Sequence, residues 1–189
     1  LPNNVLIDIA ADFRLNTAKN YLKWYKQKHR AKANIKNSIY SIPEFTVKKI
    51  QNYKIISCPG CYPTSILLPL IPLIKKNIIK LDNIIIDSKS GFSGAGRGVH
   101  KKYAGKNLYA SAMAYGVGFH RHNSEIEQEI IKITKNKKLN ITFTPHLLPM
   151  FKGILSTIYI ETNKNISIKL FNKIFTNAFN KKKFVKMKK

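Results

Sequence analysis

The chain has 189 residues, enough for one ordinary domain or two small ones with a real core. Apolar residues make up 44% and aromatics 11%, which excludes disorder as the main state, and two cysteines alone, Cys58 and Cys61, exclude a disulfide-stapled secreted scaffold. The net charge of +25 comes from 30 Lys and only four Arg, spread along the whole chain without arginine forks or interleaved aromatics, so nucleic-acid binding is not the expected function. Lys, Ile and Asn, which share AT-rich codons, together fill 75 of the 189 positions, and codon bias accounts for the charge.

No apolar run approaches the roughly 20 residues that a membrane span needs. The longest, Ile66 to Ile74, is interrupted by Pro69 and Pro72. The first residues lack the charged-then-apolar pattern of a signal peptide. A soluble, cytoplasmic protein without membrane contact is therefore expected. The chain starts at Leu1 and ends in the basic stretch Lys181 to Lys189, so a fragment of a longer protein or a degraded reading frame is expected as well.

In chain order, Val5 to Ile9 is almost wholly apolar and predicts a strand buried on both faces. Asn16 or Thr17 can cap a helix whose face carries Tyr21, Leu22 and Tyr25. A second strand is predicted at Tyr53 to Ser57, followed by a buried helix from Tyr62 to about Lys76 with Pro63 in its first turn. Asn83 to Asp87 predicts a strand running into the glycine loop Gly91 to Gly98. Ser124 and Glu127 fit a capping box, with Ser124 as N-cap of a helix to about Lys135. Strands follow at Leu139 to Phe143 and Ile154 to Glu161. Ile168, Phe171, Phe175 and Ala178 then mark a last helix by their spacing. The order predicts an α/β portion followed by an α+β portion.

Cys61 falls where a strand ends and a helix begins, so the helix dipole and free backbone N–H groups favour its thiolate and could hold an oxyanion. Gly60 allows a tight turn just before it. A buried, inert cysteine is the bland alternative. Cys58 and Cys61 also have the spacing of a thiol–disulfide pair. A zinc site from Cys58, Cys61, His120 and His122 has less support, because His-x-His is not the usual gap of structural zinc sites. His120 and His122 lie just ahead of a helix start, where the dipole holds imidazole neutral and able to accept a proton. A surface histidine pair beside a turn is the alternative there. His146 reads as a structural hydrogen-bonding group. The run Ser90 to Gly98 has four glycines in nine residues and lets a phosphate or cofactor ring approach the backbone, though it matches neither a P-loop nor the dinucleotide fingerprint.

Taken in order, Ala11 to Leu15, Pro59 to Thr64, Ser90 to Arg97, Gly118 to His122 with Glu125 and Ile126, and Phe143 to Leu147 with Gly153 and Ile154 resemble one family. It is the N-acetyl-gamma-glutamyl-phosphate reductases, related to aspartate-semialdehyde dehydrogenase. The resemblance implies the end of a Rossmann dinucleotide-binding domain over residues 1–60 and an incomplete α+β catalytic and dimerisation domain over 61–189. It implies NADPH-dependent reduction of an acyl phosphate to an aldehyde, in arginine biosynthesis. Cys61 would be the nucleophile that forms a thioester and releases phosphate, and His122 the acid–base, with His120 as its rival. Ser93, Gly94 and Ala95 would lie near NADPH. Arg121, Arg97 and Arg14 are implied for recognition of phosphate or carboxylate, and a homo-oligomer is implied for the complete enzyme. The family's Gly-x-x-Gly-x-x-Gly loop does not occur in this sequence. The rival readings are a thiol–disulfide oxidoreductase using Cys58 and Cys61, and a basic nucleic-acid-binding module.

Overall fold

Two sheets organise the chain, and the stretch that begins at residue 58 and includes Cys61 leads from the first to the second. The computed structural model describes residues 4–95, 110–136 and 138–188. The first sheet is fully parallel in the order β1-β3-β2, with β1 at Leu6–Asp8, β2 at Ser38–Tyr40 and β3 at Ile55–Ser57. Parallel neighbours need a crossover. The first crossover carries helix α1, Ala18–Tyr25, and the second the single turn α2, Pro43–Thr46. Thr17 is the N-cap of α1, accepting the Asn20 N–H at 3.1 Å. The expected burial of the first strand is not seen. β1 is an edge strand, and Leu6 and Ile7 are 52% and 63% exposed, because the described elements cover neither of its faces.

Helix α3, Cys61–Lys75, opens on Gly60 and is buried nearly all round. It keeps Pro69 and Pro72 in its interior. Each removes an intrahelical hydrogen bond, and the burial of Ile66, Leu67, Leu70 and Ile71 offsets that loss. The second sheet runs β5-β6-β4-β7, with β4 at Ile84–Gly91, β5 at Met113–Ala114, β6 at Ile141–Leu148 and β7 at Ile154–Tyr159. β4 pairs parallel with β6 and antiparallel with β7, and β5 pairs antiparallel with β6. Side chains alternate across a strand, so Ile84, Ile86, Ser88 and Ser90 of β4 are buried. Ser156 on β7 bonds both Ser65 of α3, at 2.8 Å, and Ser88, at 2.7 Å, tying the helix to the sheet.

Helix α4, His122–Thr134, packs on α3 through Ile126 and Ile130. It begins two residues before the expected Ser124 cap. The reason is local chemistry: His120 Nδ1 accepts the His122 N–H at 3.2 Å, so an imidazole satisfies a first-turn donor. Ser124 instead donates its hydroxyl to the Arg121 carbonyl at 2.6 Å. Helix α5, Ile168–Phe179, is capped by Ser167 and packs Ile174, Phe175 and Phe179 into the core. The result is an α/β portion followed by an α+β portion. Among the described residues, no helix is long and apolar enough to cross a membrane.

Candidate active site

Cys61 is the first residue of α3, and its side chain is free and exposed. The preceding turn is anchored on both sides. Cys58 donates its N–H to Asp8 O at 2.8 Å, and Thr64 N–H donates to Gly60 O at 3.0 Å. Gly60 itself has φ −64° and ψ 161°, a conformation open to any residue. Its requirement is one of space, not of backbone freedom: a Cβ there would stand 2.4 Å from His122 Nε2. The tight turn expected at Gly60 is thus replaced by a close approach between the turn before Cys61 and the His122 ring.

Surroundings push the Cys61 thiol up from its ordinary value, through burial. Hydrogen bonds from the backbone N–H groups of Tyr62 and Cys61, and the Arg14 charge, pull the other way. The helix N-terminus was expected to win this contest. Desolvation by the neighbouring side chains outweighs it.

His120 and His122 meet over Tyr62. Their ring centroids lie 4.8 Å apart, and each stands edge-on to the Tyr62 ring, at 5.6 and 5.8 Å. Gly116 makes this possible. It has φ +59°, and a Cβ on it would approach His120 Cδ2 to 3.0 Å. His122 is nearly buried, and its pKa falls to about 2, first through burial and then through the nearby cations His120, Arg14 and Arg121. It is neutral at ordinary pH. His120 spends Nδ1 as an acceptor, so its neutral form carries the proton on Nε2.

Cys61, Gly94, His120, Arg121 and His122 line one cavity of about 410 Å³, together with Trp24, Tyr62, Tyr115, Gly116 and Phe119. A larger cavity of about 500 Å³ lies between β2 and α4, lined mainly by Ile, Phe and Lys side chains without this chemistry. Ser93 shares the short turn Phe92–Ala95 with Gly94, and Ala95 closes it. Arg97 lies outside the described residues. Arg121 sits with its guanidinium carbon 5.8 Å from the Tyr25 ring. Arg14 turns inward. It donates from Nε to Cys58 O at 2.9 Å, from Nη2 to Ile9 O at 3.2 Å and from Nη1 to Glu125 at 3.4 Å.

Glu125 is the residue of this cluster that sequence reasoning missed as an individual. Its carboxylate is fully buried in the first turn of α4. One oxygen accepts the Gly60 N–H and the Tyr40 hydroxyl, both at 2.9 Å. The other faces Arg14 and stands 3.8 Å from His122 Nε2. Burial pushes its pKa up against the pull of Arg14, Gly60 and Tyr40. One carboxylate thereby links β2, the turn before Cys61 and the first turn of α4. A Glu in the first turn of a helix was the available signal. Its partners lie 65, 85 and 111 residues away and could not be read locally.

Residues 61–189, beginning at Cys61, match the family described as semialdehyde dehydrogenase, dimerisation domain. The chain belongs to that family. Over 184 residues it is 42% identical to the N-acetyl-gamma-glutamyl-phosphate reductase of Alkaliphilus metalliredigens, covering 97% of this chain and 53% of that protein. Over 182 residues it is 40% identical to the probable chloroplastic N-acetyl-gamma-glutamyl-phosphate reductase of Arabidopsis thaliana, covering 96% of this chain and 45% of the relative. The chain spans about half the length of the curated relatives it matches. Among solved structures, aspartate semialdehyde dehydrogenase from Francisella tularensis superposes with a TM-score of 0.66 at 12% identity, over 92% of this chain and 56% of that one. That likeness shows the family's fold.

Proposed function

We propose that this chain carries the acyl-transfer centre of a cytoplasmic, NADPH-dependent reductase acting on an N-acetyl-γ-glutamyl phosphate in arginine biosynthesis. The observation that carries the reading is the meeting of Cys61, His120, Arg121 and His122 around one cavity, in a chain similar to reductases named for that substrate. Residues 1–60 are assigned to the end of a nucleotide-binding domain and 61–189 to the catalytic and dimerisation domain of a homo-oligomer. The parallel sheet β1-β3-β2, which ends at Ser57, supports that division.

Cys61 sulfur attacks the acyl carbon, the carbon–oxygen bond to phosphate breaks, and inorganic phosphate leaves with the electron pair. The N–H groups of Tyr62 and Cys61 stabilise the sulfur as thiolate before attack. Arg121 attracts the anionic substrate, and Arg14 holds the carbonyl of Cys58 so that the turn stays in register. His122 is the proton carrier for sulfur or oxygen. His120 is the rival, since its Nε2 bears a proton when neutral. The dinucleotide supplies the hydride that takes the thioester to the aldehyde level. The residues present fit its ring end: Gly94 borders the Cys61 cavity, and a Cβ on it would crowd Ser90 Oγ at 3.0 Å, so a glycine lets a ring approach the backbone there most closely. Ser93, Ala95 and Arg97 belong to the same stretch of chain.

The half-reaction tests the reading without the dinucleotide. Freshly made N-acetyl-γ-glutamyl phosphate should release one equivalent of phosphate per chain and add an N-acetylglutamyl mass to Cys61. Cys61→Ala should do neither. Release and labelling that persist in Cys61→Ala would refute it.

A further inference from the structure

The Cys61 cavity has a wall that the chemistry above leaves unused. Trp24 of α1 and Phe119 of the turn before α4 stack face to face, with centroids 4.6 Å apart and planes 15° from parallel. Both line the cavity. Phe119 is 49% exposed although it lies one residue from His120. The Trp24 indole N–H makes no hydrogen bond among the described residues, so it has a donor to spend.

The charge on the Cys61 side of this wall has one sign, whereas Glu127 lines a separate cavity that Trp24 and Lys23 also border. Lys23 Nζ lies 5.5 Å from the Trp24 ring centre and Lys26 Nζ lies 5.0 Å from that of Phe119. Arg121 lines the same cavity, and none of the described lining residues is acidic. Glu125, behind the site, is spent on Gly60, Tyr40 and Arg14. An ammonium group entering here would find no carboxylate among the described lining residues and three cations close by. A neutral amide with a small apolar tail meets none of that penalty, and its methyl group gains from burial against the rings.

We propose that Trp24 and Phe119 form a subsite for the N-acyl group of the substrate, selecting acylated over free α-amino acids. The indole N–H donates to the acyl carbonyl, and the cationic rim takes the α-carboxylate. The proposal rests on the reading of the site given above and adds which part of the substrate is read, and by which residues.

Trp24 is the only tryptophan of the chain, so its emission reports on this wall alone. The 1–189 chain is titrated with N-acetyl-L-glutamate and with L-glutamate. Tryptophan emission is followed in one assay, and protection of Cys61 from iodoacetamide in a second. N-acetyl-L-glutamate should change the emission and protect Cys61, and L-glutamate should need at least tenfold higher concentration for the same protection. Trp24→Ala should reduce that preference to less than threefold. Trp24→Phe, which keeps an aromatic wall and guards against a folding defect but lacks the indole N–H, should fall between the unaltered chain and Trp24→Ala. Equal protection by both amino acids, or protection without a change in emission, overturns the subsite and leaves the acyl-transfer reading standing. Protection by neither overturns the subsite, and phosphate release from the acyl phosphate then decides whether the underlying reading falls with it.

Discussion

Replacing Glu125 by alanine removes the acceptor for two buried donors and the partner of a guanidinium. The Gly60 N–H and the Tyr40 hydroxyl each lose a 2.9 Å bond, and Arg14, with a side chain only 12% exposed, loses its carboxylate. An unsatisfied buried donor costs about 1–3 kcal/mol, and breaking one side of a buried pair about 3–5 kcal/mol. These overlap and do not add in full. A discount applies, because burial pushes the Glu125 pKa up and so already disfavours the carboxylate. The expected loss is therefore about 3 kcal/mol, which for a chain of this size lowers Tm by roughly 6–12 °C. Glu125→Gln keeps an oxygen for Gly60 and Tyr40 and should cost about 1 kcal/mol. Urea unfolding of the three proteins at pH 7 measures this, and a double-mutant cycle of Glu125→Gln with Tyr40→Phe isolates one contact. A loss below about 0.5 kcal/mol in Glu125→Ala, the level of an ordinary surface change, would refute the argument that this carboxylate joins the two halves of the site.

Gly60→Ala should cost about 1–3 kcal/mol, because its Cβ would collide with the His122 ring, and His122→Ala should restore part of the loss. An equally stable Gly60→Ala would mean the ring can move aside freely. His122 titrates near 6.5 when unfolded and near 2 when folded, so the unfolded chain binds the extra proton between those values. Stability is then full above pH 6.5 and lost as pH falls, by about 1.4 kcal/mol per unit from this group. His122→Asn should flatten the pH dependence of unfolding between pH 6 and 4, and an unchanged slope would contradict the burial-driven shift.

Where local chemistry decides the outcome, the residues could be read directly. Thr17 caps α1 because its hydroxyl reaches the Asn20 N–H, and the extent of α3 and the presence of α5 follow from apolar content and spacing. The start of α4 escaped that reasoning, although Ser124 and Glu127 are correctly spaced for a capping box. The His120 ring instead satisfies the His122 N–H, so the helix starts there, ahead of Ser124. Gly60 escaped it for a different reason. A glycine before a nucleophile suggests an unusual φ, but its φ is ordinary, and the constraint comes from a histidine 62 positions further along. Contacts of that range are set by how β3, α3 and α4 pack, which no local pattern encodes.

The same packing explains how a strongly basic chain can keep the imidazole of His122 neutral beside a thiol. Burial and three neighbouring cations deny His122 a proton, while His120 has Nδ1 committed to a backbone N–H. Glu125 is the one carboxylate in contact with this cluster, and it is divided among Gly60, Tyr40 and Arg14, too occupied to neutralise the field at the cavity mouth. The field there is therefore positive in the absence of substrate. An anionic acyl phosphate entering it would cancel part of what Arg121 and His120 impose on His122. The proton affinity of that ring would rise only once the negative charge is bound. Under the proposed function, His122 is thus a base suppressed in the free protein and released by a bound anion, without movement of the backbone.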